Sequence, residues 1–153
     1  MLKTLTKTCL SSLLILVIFS TLTRCKKKQD EISQDILQQY FDTNILNRDF
    51  KVKLATDNGS DLTSNYTGYV FRLLKTTNYD GPMTAKRNDS TYTGTWSTNE
   101  DFSKLTITIT QPITPQSFLF LNRSWRFTKK ALPVMELAPW GNTTPLVLHM
   151  ERL

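Results

Sequence analysis

Few residues in this chain are equipped to act on a substrate. His149 is the only histidine among 153 residues. It alternates with Leu148 and Met150 near the C-terminus, and no serine or threonine nucleophile with an orienting carboxylate is spaced to use it. The pair Glu100-Asp101 stands between two strand-like runs and reads as a turn rather than as a glycosidase pair or a calcium loop. No glycine-rich phosphate cradle and no Cys/His metal spacing occurs, so the expectation is no catalysis, no metal and no cofactor. What remains is a set of side chains that bind by area and stacking rather than react. Phe71, Leu73, Tyr92, Trp96, Trp125 and Phe127 are candidates to line a space for a small apolar ligand, and the plainer alternative makes them core. Trp140, between Pro139 and Gly141, falls in a predicted loop as an exposed contact point or a lid.

The one reactive group with a clear context is a thiol. Lys3 and Lys7 give the chain a positive start, and Leu10 to Leu22 then run without a charge. The most apolar part, Leu13 to Phe19, is well short of the roughly 20 residues a spanning helix needs, so residues 1–24 read as a secretory signal. The alternative is a retained anchor helix. Leu22-Thr23-Arg24-Cys25 resembles the lipobox of bacterial lipoproteins. That resemblance implies that Cys25 becomes the N-terminus and carries acyl chains such as palmitate, because diacylglyceryl transfer needs a sulfur nucleophile. Each buried methylene would then hold the protein to lipid by about 0.8 kcal/mol. Cys9 would leave with the leader, so no disulfide is available within the mature chain. Lys26-Lys27-Lys28-Gln29-Asp30-Glu31 completes a tether over residues 25–31 and resembles the run that follows the anchor cysteine in lipoproteins of the Bacteroidetes type. The expected location is the cell envelope, lipid-anchored at the outer membrane, on either its periplasmic face or the cell surface.

A formal charge of +6 invites a nucleic-acid reading that the distribution does not support. Lys3, Lys7, Arg24 and the three tether lysines account for six of the 19 basic residues, and the 13 left equal the acidic ones. Nucleic-acid affinity depends on many cations releasing phosphate counterions, so no nucleic-acid partner is expected.

The elements that must position the aromatics follow from periodicity. Ile32, Ile36, Leu37, Tyr40, Phe41, Ile45 and Leu46 form one stripe of a helix predicted over 32–47, with Asp30 and Glu31 favourably placed at its start. From residue 48 to 153 the period becomes two. Phe50, Val52 and Leu54 share a face, as do Tyr69, Phe71 and Leu73. Tyr92, Gly94 and Trp96 alternate with threonines, and Leu105, Ile107 and Ile109 do so most clearly. Trp125 and Phe127, Met135 and Leu137, and Leu146, Leu148 and Met150 continue the series. Asn58-Gly59 and Asp80-Gly81-Pro82 read as turns, with a short strand from Met83 to Arg87. Phe118 to Leu121 reads as a strand apolar on both faces, covered by the helix. Such a series predicts a mainly β fold. It is an antiparallel up-and-down β-barrel of about eight strands preceded by one N-terminal helix, with a β-sandwich as the alternative.

With Gly94-Thr95-Trp96 on a middle strand, this arrangement resembles the lipocalin-like lipoprotein domains of Bacteroidetes. The resemblance implies a barrel and, at most, a small-molecule ligand. Two functions stay open on the sequence. One is a membrane-anchored barrel binding a small apolar ligand without catalysis. The other is a protein–protein interaction module, such as a periplasmic inhibitor or an accessory subunit of an outer-membrane complex.

Overall fold

Alternation of apolar residues with threonine, lysine and serine leaves each segment after Asp49 with one face for a core and one for water. A computed structural model shows how these faces meet; it describes residues 34–129 and 131–153. The leader, Cys25, the lysine tether and the first residues of the predicted helix lie outside the described residues.

Residues 34–44 form helix α1. The strands follow as β1 (Asp49–Asp57), β2 (Ser60–Asp61), β3 (Val70–Leu73), β4 (Asp80–Arg87), β5 (Ser90–Thr98), β6 (Lys104–Gln111), β7 (Ser124–Lys129), β8 (Val134–Pro139) and β9 (Leu146–Arg152). A short helix α2 (Phe118–Leu121) interrupts the β6–β7 connection. From β3 to β9 each strand pairs antiparallel with the next, and β3 also pairs with β1. The ring shuts because β9 returns to β1, from Phe50↔Arg152 to Asp57↔Leu146. This is the predicted up-and-down barrel, eight strands closed and β2 appended as a hairpin extension of β1. Closure removes the open edges that the sandwich alternative would have left.

Three local expectations are corrected. Leu54 does not share a face with Phe50 and Val52. A bulge between Val52 and Leu54 shifts the register, so Ala55 is the next buried residue and Leu54 is only half-buried. Asp80-Gly81-Pro82 is not a turn but the start of β4, paired with Ser97, Trp96 and Thr95. A Cβ on Gly81 would overlap the Leu74 carbonyl oxygen, so the glycine is there for close approach and not for bending. Phe118 to Leu121 is a single helical turn, not a strand. It buries Phe118, Phe120 and Leu121 while Leu119 faces out, 62% exposed. An all-apolar run satisfies a three-sided plug as well as it does a two-sided strand.

Both ends of the barrel are thereby stopped. At the end where β3 finishes, Phe41, Ile45 and Leu46 from α1 and the turn after it are buried. The Phe41 ring lies 5.0 Å from Phe102 and 5.8 Å from Trp96. Asn47 N–H donates to the Leu73 carbonyl at 2.7 Å, fixing the chain as it leaves the plug. At the end where β3 begins, Phe118 sits 5.1 Å from Tyr69 and 5.3 Å from Tyr92. Tyr66, from a 3₁₀ turn over Thr63–Tyr66, covers Phe120. Among the described residues no helix is long and apolar enough to cross a membrane.

Candidate functional site

The six side chains singled out as a possible ligand lining do not face one space. Phe71, Tyr92 and Trp125 belong to the α2 plug, in ring contact with Phe118 or Phe120 at 6.1, 5.3 and 5.4 Å. Trp96 and Phe127 belong to the α1 plug, 5.8 and 6.1 Å from Phe41. Leu73 sits beside that plug, its carbonyl held by Asn47. Phe71, Leu73 and Trp125 are 0% exposed, so none of these three borders a void that a water-sized sphere can enter, while Trp96, 1% exposed, lies at the edge of a concavity of about 470 Å³ that it shares with Thr76, Asp80, Pro82 and Ser97. Tyr92 and Phe127 are half-buried.

Both interior indoles are also tied by their one polar atom. Trp96 Nε1–H donates to the Leu74 carbonyl at 2.8 Å, and Trp125 Nε1–H to the Leu121 carbonyl at 3.0 Å. A buried indole with its N–H satisfied is a finished packing unit. Gly94, half of the Gly-x-Trp, serves the same packing. A Cβ there would overlap the Thr108 carbonyl oxygen and lie 2.6 Å from Ile109 Cα, at the bulge where β5 crosses close to β6.

Concavities therefore lie outside the barrel. One of about 340 Å³ on the outer wall of β3 and β4 is floored by Val70, Leu74 and Thr84. Its carboxylate, Asp49, accepts two hydrogen bonds of 2.7 Å from Arg72, and that guanidinium holds the Asp49 pKa below the usual carboxylate value. A second, of about 360 Å³, lies between Tyr66, Ser117 and Phe120. There Tyr66 Oη donates to the Ser117 carbonyl at 2.7 Å, and burial pushes its pKa up to about 12, with nearby Arg123 acting the other way. His149 faces outward on β9, opposite Leu54 and Glu136. Among the described residues no three His, Cys, Asp or Glu side chains gather as a metal site.

One outward cluster was not legible from spacing alone. The β6–β7 register sets Lys104 directly opposite Arg126, with Leu105 and Trp125 behind them in the core. The next outward row pairs Thr106 with Ser124, their hydroxyls 2.9 Å apart. Trp140 stands in the turn just after β8, its backbone N–H donating to the Ser124 carbonyl at 3.0 Å. Its indole is 38% exposed, and Lys104 Nζ stands 5.6 Å from the ring centroid. The sequence leaves Trp140 as an exposed contact point or a lid, and its indole is in fact exposed on the outer wall. Lys104 and Arg126 were missed because alternation shows that each points outward but not which strand residues meet. No known protein family, no curated protein and no solved structure matches this chain.

Proposed function

We propose that the chain is a lipid-anchored, non-catalytic envelope protein whose barrel is an interaction module, recognising a protein partner through its outer surface. The observation that carries this reading is the packed interior. The side chains best suited to hold an apolar ligand fill the barrel and are stopped at both ends by α1 and α2. Ligand-carrying barrels of this size keep a cavity of a few hundred cubic ångströms. The lipid anchor is supported by the charge-free run before Cys25 and by the lysines after it, and anionic head groups would attract those lysines. The absence of a nucleophile–base pair in the strand pattern supports the non-catalytic part.

The test uses the full chain in its own membranes, treated with a lysine-reactive cross-linker. A discrete adduct with one envelope protein is expected, and it should be lost from membranes of cells lacking the chain. Saturable, stoichiometric binding of an apolar fluorophore that quenches the buried indoles would overturn the reading in favour of an interior ligand.

A further inference from the structure

We infer that Lys104, Arg126 and Trp140 form the docking point for an acidic segment of the protein partner, its carboxylate bridging the two cations while an adjoining side chain packs on the indole. This rests on the interaction-module reading and adds to it the chemistry of the partner.

The first support is electrostatic. Residues directly opposite across an antiparallel pair have Cβ atoms about 5 Å apart, and like charges there are unfavourable. Lys104 and Arg126 occupy such a position, and among the described residues neither is in an ion pair. The carboxylates elsewhere on the wall are engaged. Glu151 serves Lys51 and Lys53, Asp49 serves Arg72, and Glu136 serves Lys129. Two adjacent cations on a rigid wall, with no ion-pair partner among the described residues, are complementary to a carboxylate from outside.

The second support is the indole. Trp and Arg are the side chains that most often dominate binding energy at protein interfaces. Here an exposed Trp is held in place by its backbone hydrogen bond to Ser124 and by the Lys104 ammonium near its ring. The surroundings choose between occupants. Gly141, Asn142, Thr143 and Thr144 next to Trp140 are exposed and polar, so there is no apolar face to enter a bilayer. The patch lies on a sheet wall whose own row continues to Ala138 and whose next row carries Thr106 and Ser124. Small side chains beside the two cations leave room for an extended peptide laid across the strands.

The experiment titrates the full chain in non-ionic detergent with oligo-glutamate, with oligo-glutamine, with inorganic phosphate and with phosphatidylglycerol vesicles. Trp140 emission is the readout, since Trp96 and Trp125 are buried. Oligo-glutamate should bind saturably and oligo-glutamine should not. The double variant Lys104→Gln with Arg126→Gln should weaken binding about tenfold, and Trp140→Ala should weaken it several-fold by an independent readout such as calorimetry. Lys104→Glu should abolish binding while raising thermal stability, because it replaces a like-charge pair by an opposite one. That gain shows that the loss does not come from misfolding. Response to phosphate alone, or to vesicles alone, overturns the inference in favour of an anion or headgroup site. In the cross-linking assay, an adduct that forms equally with the double variant overturns this site while leaving the interaction module intact. No adduct with the wild-type chain overturns both.

Discussion

Asn122 offers a sharp test of how the barrel is closed. Strand β7 pairs with β6 only from Lys104↔Arg126 to Thr106↔Ser124, and one further backbone bond, from Ile107 N–H to the Arg123 carbonyl at 3.0 Å, follows before β6 runs on beyond the β7 ladder. Asn122 supplies the next partner with its side chain. Its Oδ1 accepts from Ile109 N–H at 2.7 Å, and its Nδ2 donates to the Ile109 carbonyl at 2.9 Å, reproducing a strand pair with one amide group. Ile109 is 0% exposed, so Asn122→Ala leaves a buried N–H and a buried C=O unsatisfied. At about 1–3 kcal/mol for each, the loss is about 2–6 kcal/mol. With a urea slope of about 2 kcal/mol/M, that lowers the unfolding midpoint by about 1–3 M. Urea titration of the full chain in mild detergent reads this directly, and the Ile109 amide should also exchange its hydrogen faster. Asn122→Asp separates the two bonds. It keeps the acceptor but sets a carboxylate against the Ile109 carbonyl oxygen, so the native state holds that carboxyl pKa above its unfolded value near 3.9. The protonated form restores the donor. The deficit of this variant should therefore be small below about pH 4 and reach its full size as pH rises through the raised pKa. A midpoint for Asn122→Ala within experimental error of wild type, or a deficit of Asn122→Asp that ignores pH, would refute the surrogate-strand account.

Gly94→Ala should destabilise by about 3 kcal/mol or more, at the upper end of overpacking costs, because its Cβ would meet backbone of β6 rather than a movable side chain. A thermal melt checks this, and loss of native near-UV signal is the expected extreme. Tyr66 should be the last of the tyrosines with raised pKa to ionise. Its unfolded value is 10.0 and its native value about 12, so its share of stability is full below pH 10 and lost as pH rises toward 12. Phenolate absorbance and an alkaline melt of Tyr66→Phe against wild type measure this, the variant showing a shallower alkaline limb. Iodide should quench only part of the indole emission, and Trp140→Phe should remove nearly all of the quenchable part, since Trp96 and Trp125 are at most 1% exposed.

The architecture was legible because its signals are local. Thr106, Thr108 and Thr110 between Leu105, Ile107 and Ile109 admit only a strand with one wet face, and several such runs at short spacing admit little besides a barrel or a sandwich. The choice between those two rests on the β1–β9 pairing, whose partners stand about a hundred residues apart and carry no mark of each other. Phe118 to Leu121 was misread because four apolar residues in a row have no period at all. Only the tertiary setting, with Asn122 standing in for a strand on β6, shows why the chain can turn helical there. Leu54 failed for a related reason. A bulge changes which residues count as alternate, and nothing in Phe50 to Ala55 announces it. For the candidate site the loss is greater. Alternation marks which aromatic residues share a strand face, but a shared face does not distinguish a lining from a filling. Trp96 fills in part because Gly81 lets the Leu74 carbonyl, which its indole N–H meets, come close.

That filling bears on which surface can act. A pocket for a small apolar ligand takes at least about 300 Å³. Opening it here means moving Trp96 and Trp125, whose N–H groups would leave the Leu74 and Leu121 carbonyls. At about 24 cal/mol for each cubic ångström of cavity, the void alone costs about 7 kcal/mol. That nearly equals the whole free energy of a micromolar complex, about 8 kcal/mol. A ligand would have to recover it before binding at all, and would also have to replace two buried hydrogen bonds. Segments that could move aside without this cost would have to be the plugs. Each of these is held by ring contacts to several strands, Phe118 to Tyr69, Phe71 and Tyr92, and Phe41 to Trp96, Phe102 and Phe127. The outer wall carries no such penalty. Lys104 and Arg126 are already set opposite each other on paired strands with Trp140 in the turn beside them, and the proposed carboxylate would relieve a repulsion instead of creating a void. The free-energy balance therefore favours recognition on the outside of the barrel.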